Sequence, residues 1–496
     1  MRVDRDKVSA AAASFRRTTR PSVEAMAVPG SPLSAPQSGY VDVPHEGGII
    51  AQLGFACLAV FLICAYSRLT EFSYFRIPHL LLILAGITFS AALLNGTFRR
   101  SVLSVPGMLL LGITGCMCLS IPFSVWRGGS FRFFTQEWLK SLMVFFLIAS
   151  TITAYSQCRK AILALSASCI VLLLIVLRMG SAGGGRLALR YGTLANANDL
   201  AMFLLIGLPF CLFALTTRAR YSPARFVLLV TMVTIVIQSL KTGSRAGLVT
   251  LVVVVGLVFW KLSALNKVKL AAVAGVTAVL VAVLVPDAIL QRLQVYGAGE
   301  ASAENIEVNR ASTSFAARRR LLQDGIYLTS HHPLLGVGPG MFAVGAQQKA
   351  VAEGSQEQWQ VAHNSYIEIA SECGIPALLL YLAILGYCLR TCLAIRKAAK
   401  DDPAQQELWM MASCLLLLTV LFAVAGIFSS LNYSILLPTL AGLIEVMRRS
   451  TESWRTNANR APGVTNPPQA PAGMAWPRRT SVPTRAAFSG RLSGAR

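Results

Sequence analysis

Apolar runs long enough to cross a bilayer recur along most of the chain, separated by short polar breaks. A helix needs about 17 to 25 apolar residues to span a ~30 Å hydrocarbon core. Runs of that kind cover approximately 48–66, 77–95, 103–126, 139–156, 160–178, 199–216, 224–240, 245–263, 268–286, 375–395, 406–429 and 433–447. The pattern predicts an all-α polytopic integral membrane protein with about twelve transmembrane helices. The one long interruption, 287–374, is expected to form a large loop containing short helices. The first apolar run opens only at Gly48, without a small-residue cleavage pattern, so it does not read as an isolated signal peptide.

Basic residues orient these spans, because short cytoplasmic loops collect Lys and Arg. With the amino terminus inside, the inner loops hold Arg99 and Arg100; Arg159 and Lys160; Arg218, Arg220 and Arg225; Lys261, Lys267 and Lys269; then Arg390, Arg396, Lys397 and Lys400. The outer short loops hold fewer. Both termini are then cytoplasmic, and 287–374 lies outside. The expected layout is a disordered cytoplasmic tail over 1–47, nine spans over 48–286, the outer loop over 287–374, three spans over 375–447, and a basic Pro-rich tail over 448–496.

Composition agrees: 54% of the 496 residues are hydrophobic and 14% charged, with a mean hydropathy of +0.58, against roughly 25% charged in soluble domains. The formal net charge of +23 sits largely in the inner loops and the two tails. It therefore speaks for solvated tails or attraction to anionic inner-leaflet lipid rather than for nucleic acid. The 11 cysteines fall almost entirely inside apolar spans and show neither a disulfide framework nor zinc spacing, so no metal or other cofactor is expected.

Four polar stretches interrupt this picture on the outer face. "YGTLANANDLA", 191–201, carries Asn196, Asn198 and Asp199, natural helix caps whose functional alternative is to line a sugar-binding vestibule. "KTGSRAGLVTL", 241–251, opens the eighth span. Its small residues Gly243, Ser244, Ala246 and Gly247 let a neighbouring helix or a headgroup approach the backbone. Arg245 stands on the side where positive charge is disfavoured; it either snorkels to outer headgroups or grips a phosphate through its guanidinium fork, and the second is preferred.

The third stretch, 315–342, reads "FAARRRLLQDGIYLTSHHPLLGVGPGMF". Leu321, Leu322, Gly325, Ile326 and Leu328 fall roughly on one side of a helix, which predicts a short amphipathic helix resting on the membrane or on the spans. Arg318, Arg319 and Arg320 lead into it, and either clamp a diphosphate or solvate a helix end. "GVGPG", 336–340, has Met341 where a dinucleotide fingerprint needs its last glycine, and reads as a tight turn.

The fourth is "AHNSYIEIASECGIP", 362–376. Ser365 and Glu368 have capping-box spacing, Gly374 ends the short helix they start, and Pro376 suits the first turn of the tenth span. His363 and Asn364 then sit just ahead of a helix amino terminus. The positive end of that helix disfavours a protonated imidazole, so His363 is expected to be neutral near pH 7 and able to take a proton.

Taken together, "TGSRAG" at the head of a span, an arginine ahead of "HHPLLGVGPGMF", and "HNSYIEIASECGIPALLLYLAIL" resemble the O-antigen ligase and polymerase superfamily of bacterial envelope glycan enzymes. The resemblance covers about Tyr191 to Ile395, and its sharpest element is H-N followed by nine residues and Gly374. It implies a GT-C-like glycosyltransferase of the inner membrane, with its site on the periplasmic side, moving a glycan from an undecaprenyl-diphosphate carrier to an acceptor hydroxyl without metal. The acceptor is the lipid A core in the ligase branch, which is preferred, or another carrier-linked glycan in the polymerase branch. Carried over by position, Arg245 and Arg318 fall on the family's diphosphate-binding arginines, with Arg319 beside them, and His363 on its catalytic histidine; Asn364, Ser244, Asn198 and Arg320 are supporting candidates. Where the family often has a tryptophan one turn after the arginine, this chain has Leu322.

The chemistry suits these residue types. A sugar on a diphosphate already carries a good leaving group, so the enzyme must stabilise departing charge and deprotonate the attacking hydroxyl. Attack opposite the diphosphate would invert the anomeric centre. A secondary transporter or flippase of lipid-linked glycan is the competing class. Coupled carriers place carboxylates or broken helices near the bilayer midplane, whereas these spans hold almost no acidic residue inside, Glu445 lying near an end.

Overall fold

Helix starts are set by a few caps and prolines placed ahead of the apolar runs. The computed structural model describes residues 48–72, 79–181, 185–218, 222–261, 306–355 and 359–460, with positions 275 and 279 between. In chain order the helices are α1 (Ile49–Ser67), α2 (Leu80–Leu94), α3 (Phe98–Val102), α4 (Val105–Ser120), α5 (Arg127–Phe133), α6 (Leu139–Thr151), α7 (Tyr155–Met179) and α8 (Ala197–Thr216). They continue as α9 (Pro223–Lys241), α10 (Arg245–Lys261), α11 (Ile306–His331), α12 (Phe342–Ala352), α13 (Ser365–Ala399), α14 (Gln406–Gly426) and α15 (Leu436–Arg460). A two-residue hairpin, β1 (Gly180–Ser181) with β2 (Ala188–Leu189), pairs antiparallel between α7 and α8.

The protein is a mostly helical, multi-pass membrane protein. Among the described residues seven helices are long and apolar enough to cross a bilayer, and the shorter Leu80–Leu94 and Arg245–Val258 are also apolar. The expected fourth span is α6 alone for only 13 residues, but it continues from α5 through the π-helical turn Phe134–Trp138. The last helix starts at Leu436 and runs on to Arg460, beyond the expected end at 447. The expected ninth span, 268–286, the tail 1–47 and the far end of the carboxy-terminal tail lie outside the described residues. The compact unit described here ends at Ser450; of the second unit, which begins at Thr451, residues 451–460 are described and helical.

α8 is the central strut. Nearly every residue from Leu200 to Leu215 is buried, because the helix is apolar all round and is flanked by α7, α9, α10 and α14. Its head is fixed by Asn196, whose Oδ1 accepts the Asn198 N–H at 2.8 Å. α13 packs along α4, α11 and α14. It bends sharply at Gly374, which is non-helical at φ 86° and ψ 170° inside the helix, a conformation that only glycine adopts without strain. Nine residues of outer limb, 365–373, therefore precede the apolar limb that follows.

Two expectations for the outer segment need correction. The helix leading to His331 is not short: α11 spans 26 residues. Its packed side is also narrower than its apolar residues suggest. Leu321 and Leu328 are buried with Asp324, while Leu322 at 41% and Ile326 at 54% are exposed. The reason is that Gly325 faces Ile367 so closely that a Cβ there would lie 2.0 Å from the Ile367 Cγ2. That approach fixes which side of α11 meets α13, and turns Leu322 and Ile326 away.

Candidate functional site

His363 sits at the joint between the outer segment and the outer limb of α13. It holds a left-handed backbone at φ 51°, a conformation tolerated by few non-glycine residues, histidine among the better ones. The strain is held on both sides. Ala362 is buried among Leu321, Leu328 and Phe342, and Asn364 caps α13, its Oδ1 accepting the Tyr366 and Ile367 N–H groups at 3.0 and 3.1 Å. The cap is thus Asn364, one residue earlier than the capping box expected at Ser365 and Glu368. Ser365 is otherwise engaged: its hydroxyl donates to the Ser429 carbonyl at 2.7 Å and accepts the Leu431 N–H at 2.8 Å.

The half-buried imidazole has its pKa pushed below the ordinary histidine value, first by burial and then by the positive charge of Arg318. Arg318 is half-buried, whereas Arg319 and Arg320 are exposed. The charge of Arg318 also reaches Asp199 at the head of α8, and Asp199 in turn acts on the buried Glu368. One corner of the molecule therefore gathers Asp199, Arg318, His363 and Glu368.

The glycine-rich turn is built against the same limb. Gly336, Gly338 and Gly340 all have positive φ, at 67°, 109° and 73°, as the tight turn requires. The Val337 and Gly338 N–H groups donate to the Ser371 and Glu372 carbonyls at 2.8 and 2.9 Å. The Glu372 side chain, 2% exposed, accepts the Gly340 and Phe342 N–H groups at 2.8 and 2.9 Å and the Tyr433 hydroxyl at 2.6 Å. A carboxylate has the acceptor capacity for three donors, which an amide lacks. α11 and α12 are joined in turn by Lys349 and Asp324 at 2.6 Å; this contact raises the lysine's pKa.

Arg245 is the first residue of α10 and half-buried. The turn before it is tightly organised: Thr242 Oγ1 accepts the Ser244 N–H at 3.2 Å, and Ser244 Oγ accepts the Gly247 N–H at 3.2 Å. Gly247 lies against Ala201, two residues beyond Asp199. Ser244 is thus a helix cap, and Asn198 is the acceptor of an arginine that the sequence reading did not single out. Arg186 donates from Nη2 to Asn198 Oδ1 at 2.9 Å and from Nε to the Thr242 carbonyl at 2.8 Å. Two clusters result: Arg318, His363 and Asp199 in one; Arg186, Asn198 and the Thr242–Arg245 turn in the other. Consecutive residues of α8, Asn198 and Asp199, link them.

Sequence reasoning gave Arg186, Glu372 and Tyr433 no role in the site and gave Glu368 only a place in a capping box. Arg186 carried a usable signal, since the charge pattern that orients the spans places its loop on the side where positive charge is disfavoured, the same argument that marked Arg245. Among the described residues no three His, Cys, Asp or Glu side chains are grouped as metal ligands.

Comparison with known proteins adds one match. Residues 230–382 match the family described as O-antigen ligase, a stretch that contains Arg245, Arg318 and the His363–Gly374 segment. No curated protein matches the chain.

Proposed function

From a chain whose residues 230–382 match the family described as O-antigen ligase, we propose a ligase that moves a glycan from an undecaprenyl-diphosphate carrier to an acceptor hydroxyl. The site would lie on the periplasmic face of the bacterial inner membrane, and the acceptor would be the lipid A core. The observation that carries this reading is the pairing of a half-buried imidazole, its pKa lowered, with the Arg318 guanidinium beside it. A base held neutral and a fixed cation are the two parts the reaction needs.

In this mechanism Arg318 and Arg245 bind the diphosphate and stabilise the charge that develops on it. His363 accepts the proton of the acceptor hydroxyl as its oxygen bonds to the anomeric carbon. The bond from that carbon to the diphosphate oxygen breaks, and its electron pair leaves with the diphosphate. General-base help of this kind is typically worth ~10² to 10⁴ in rate. Approach from the face opposite the diphosphate inverts the anomeric centre; a product of retained configuration refutes that part. The positive charge of Arg318 does double service, because it adds to burial in keeping His363 unprotonated. Asn364 and Ser244 act as caps that hold His363 and Arg245 at their helix heads.

The test is purified protein in vesicles with a polyprenyl-diphosphate oligosaccharide, with and without a lipid A core acceptor, comparing wild type with His363→Ala. Glycan joined to the core by the wild type and not by the variant supports the ligase. Lengthening of the carrier-linked glycan without any core makes the protein a polymerase. Movement of the lipid-linked glycan between leaflets with no product, equal in both proteins, overturns the catalytic reading in favour of a flippase.

A further inference from the structure

The segment between α7 and α8 is laced to three different parts of the fold. Its Leu187 N–H donates to the Lys241 carbonyl at 3.0 Å, next to the Thr242 carbonyl taken by Arg186 at 2.8 Å. Further on, the Thr193 N–H and hydroxyl donate to the Glu71 carboxylate at 3.0 and 2.9 Å, and Glu71 is itself paired with Arg68 at 3.2 Å. Arg186 is the member of this strap that ties the turn before Arg245 to Asn198, whose chain neighbour Asp199 belongs to the other cluster. Its two donors reach separate partners, one the turn that ends in Arg245 and one Asn198, the neighbour of Asp199. A guanidinium suits both at once, since its N–H groups form a rigid, pre-organised fork.

We propose that Arg186 is a positioning residue of the donor site: it holds the Thr242–Arg245 turn in register with the head of α8, so that Arg245 and Arg318 grip one polyisoprenyl diphosphate together. This rests on the reading given under Proposed function. Arg186 acts through the turn and need not touch the donor.

The experiment measures equilibrium binding of undecaprenyl diphosphate to the full chain in nanodiscs, and KM for donor and for acceptor separately. The proteins are wild type, Arg186→Met, Arg186→Lys, Asn198→Ala and the Arg186→Lys/Asn198→Ala double variant. Loss of the fork is expected to weaken donor binding roughly 10- to 100-fold, the effect of one or two charge-assisted hydrogen bonds. Lysine should rescue little, because charge without the fork cannot hold both partners. Acceptor KM should stay within about twofold, and the double variant should be far from additive, because both changes cut one link. Should Arg186→Met not fold, Arg186→Lys carries the test. Donor binding within twofold of wild type in Arg186→Lys, or additive losses in the double variant, overturns the proposal and leaves the donor reading standing. A wild type that does not bind the diphosphate overturns both.

Discussion

Replacing Glu372 by Gln should loosen the glycine-rich turn without changing the volume of the site. The carboxylate accepts two backbone N–H groups, of Gly340 and Phe342, and the Tyr433 hydroxyl. An amide offers one acceptor oxygen. With that oxygen on Phe342, the amide NH₂ faces the Gly340 N–H; with it on Gly340, the Phe342 N–H is stranded. Tyr433 can rotate to accept, so the least loss is one buried backbone donor, together with the charge assistance of the others. One unsatisfied buried donor costs about 1–3 kcal/mol, and the charge assistance lost by the others, the difference between about 1.5–3 for a charged and about 0.5–1.5 for a neutral bond, adds about 1, so a total of about 2–4 kcal/mol is expected. If this free energy falls on local opening of the turn, the opened population rises roughly 30- to 900-fold. Hydrogen exchange of peptides covering 336–342 in nanodiscs reads that population directly, with Tyr433→Phe as a milder control of about 1 kcal/mol. Exchange of this stretch within threefold of wild type would refute the account of Glu372 as the fastener of the turn.

The acid limb of the kcat/KM profile, which reports the free enzyme, should fall below the ordinary imidazole value of 6.5, since burial and Arg318 both lower the pKa of His363. Arg318→Gln removes one of those two causes and should move the limb upward while leaving it below 6.5; a limb that stays put or moves down contradicts the pairing. Arg318→Ala should cut turnover roughly 10²- to 10³-fold, the typical cost of losing one preorganised charge donor; the exposed Arg319→Ala and Arg320→Ala should stay within about threefold, all measured as product formed at saturating acceptor. Gly325→Val should destabilise the protein by about 1–3 kcal/mol through overpacking, because even a Cβ would meet Ile367. Ile367→Ala in the same chain should recover much of the melting temperature, and no recovery would place the strain elsewhere.

The seven long apolar helices among the described residues were readable from the sequence, because run length is strongly specified in a bilayer protein. Helix boundaries were readable for a similar reason: Asn196, Gly374 and Pro376 act within one helical turn of themselves. α11 was not fully readable. Its amino-terminal half, from Ile306, is polar and carries little apolar periodicity, so only the half around Leu321 to Leu328 showed in the pattern. Leu322 and Ile326 misled because an apolar residue beside a membrane can face outward without penalty. The amphipathic pattern then ceases to tell core from surroundings. Arg186 and Glu372 were missed because their partners are distant in sequence. Arg186 reaches a carbonyl 56 positions away, and Glu372 reaches donors 30, 32 and 61 positions away.

The spacing from His363 to Gly374 has a physical meaning that the motif alone does not reveal. At one end Asn364 caps the helix; at the other Gly374 breaks it. The nine residues between are the outer limb, about two and a half turns at 3.6 residues per turn. A break inside a helix frees backbone groups that must find partners, and here the outer loop takes them. Pro333 accepts the Ile375 N–H at 2.7 Å, while Ser371 and Glu372 give their carbonyls to Val337 and Gly338. The limb could not bend unless that loop were in place, and the loop could not hold three positive-φ glycines without the limb. His363 thus stands at the tip of a lever clamped at its base, so its position depends on a glycine-rich turn that contains no ionisable side chain. Changes to that turn should therefore reach the histidine first through its placement and only second through its charge.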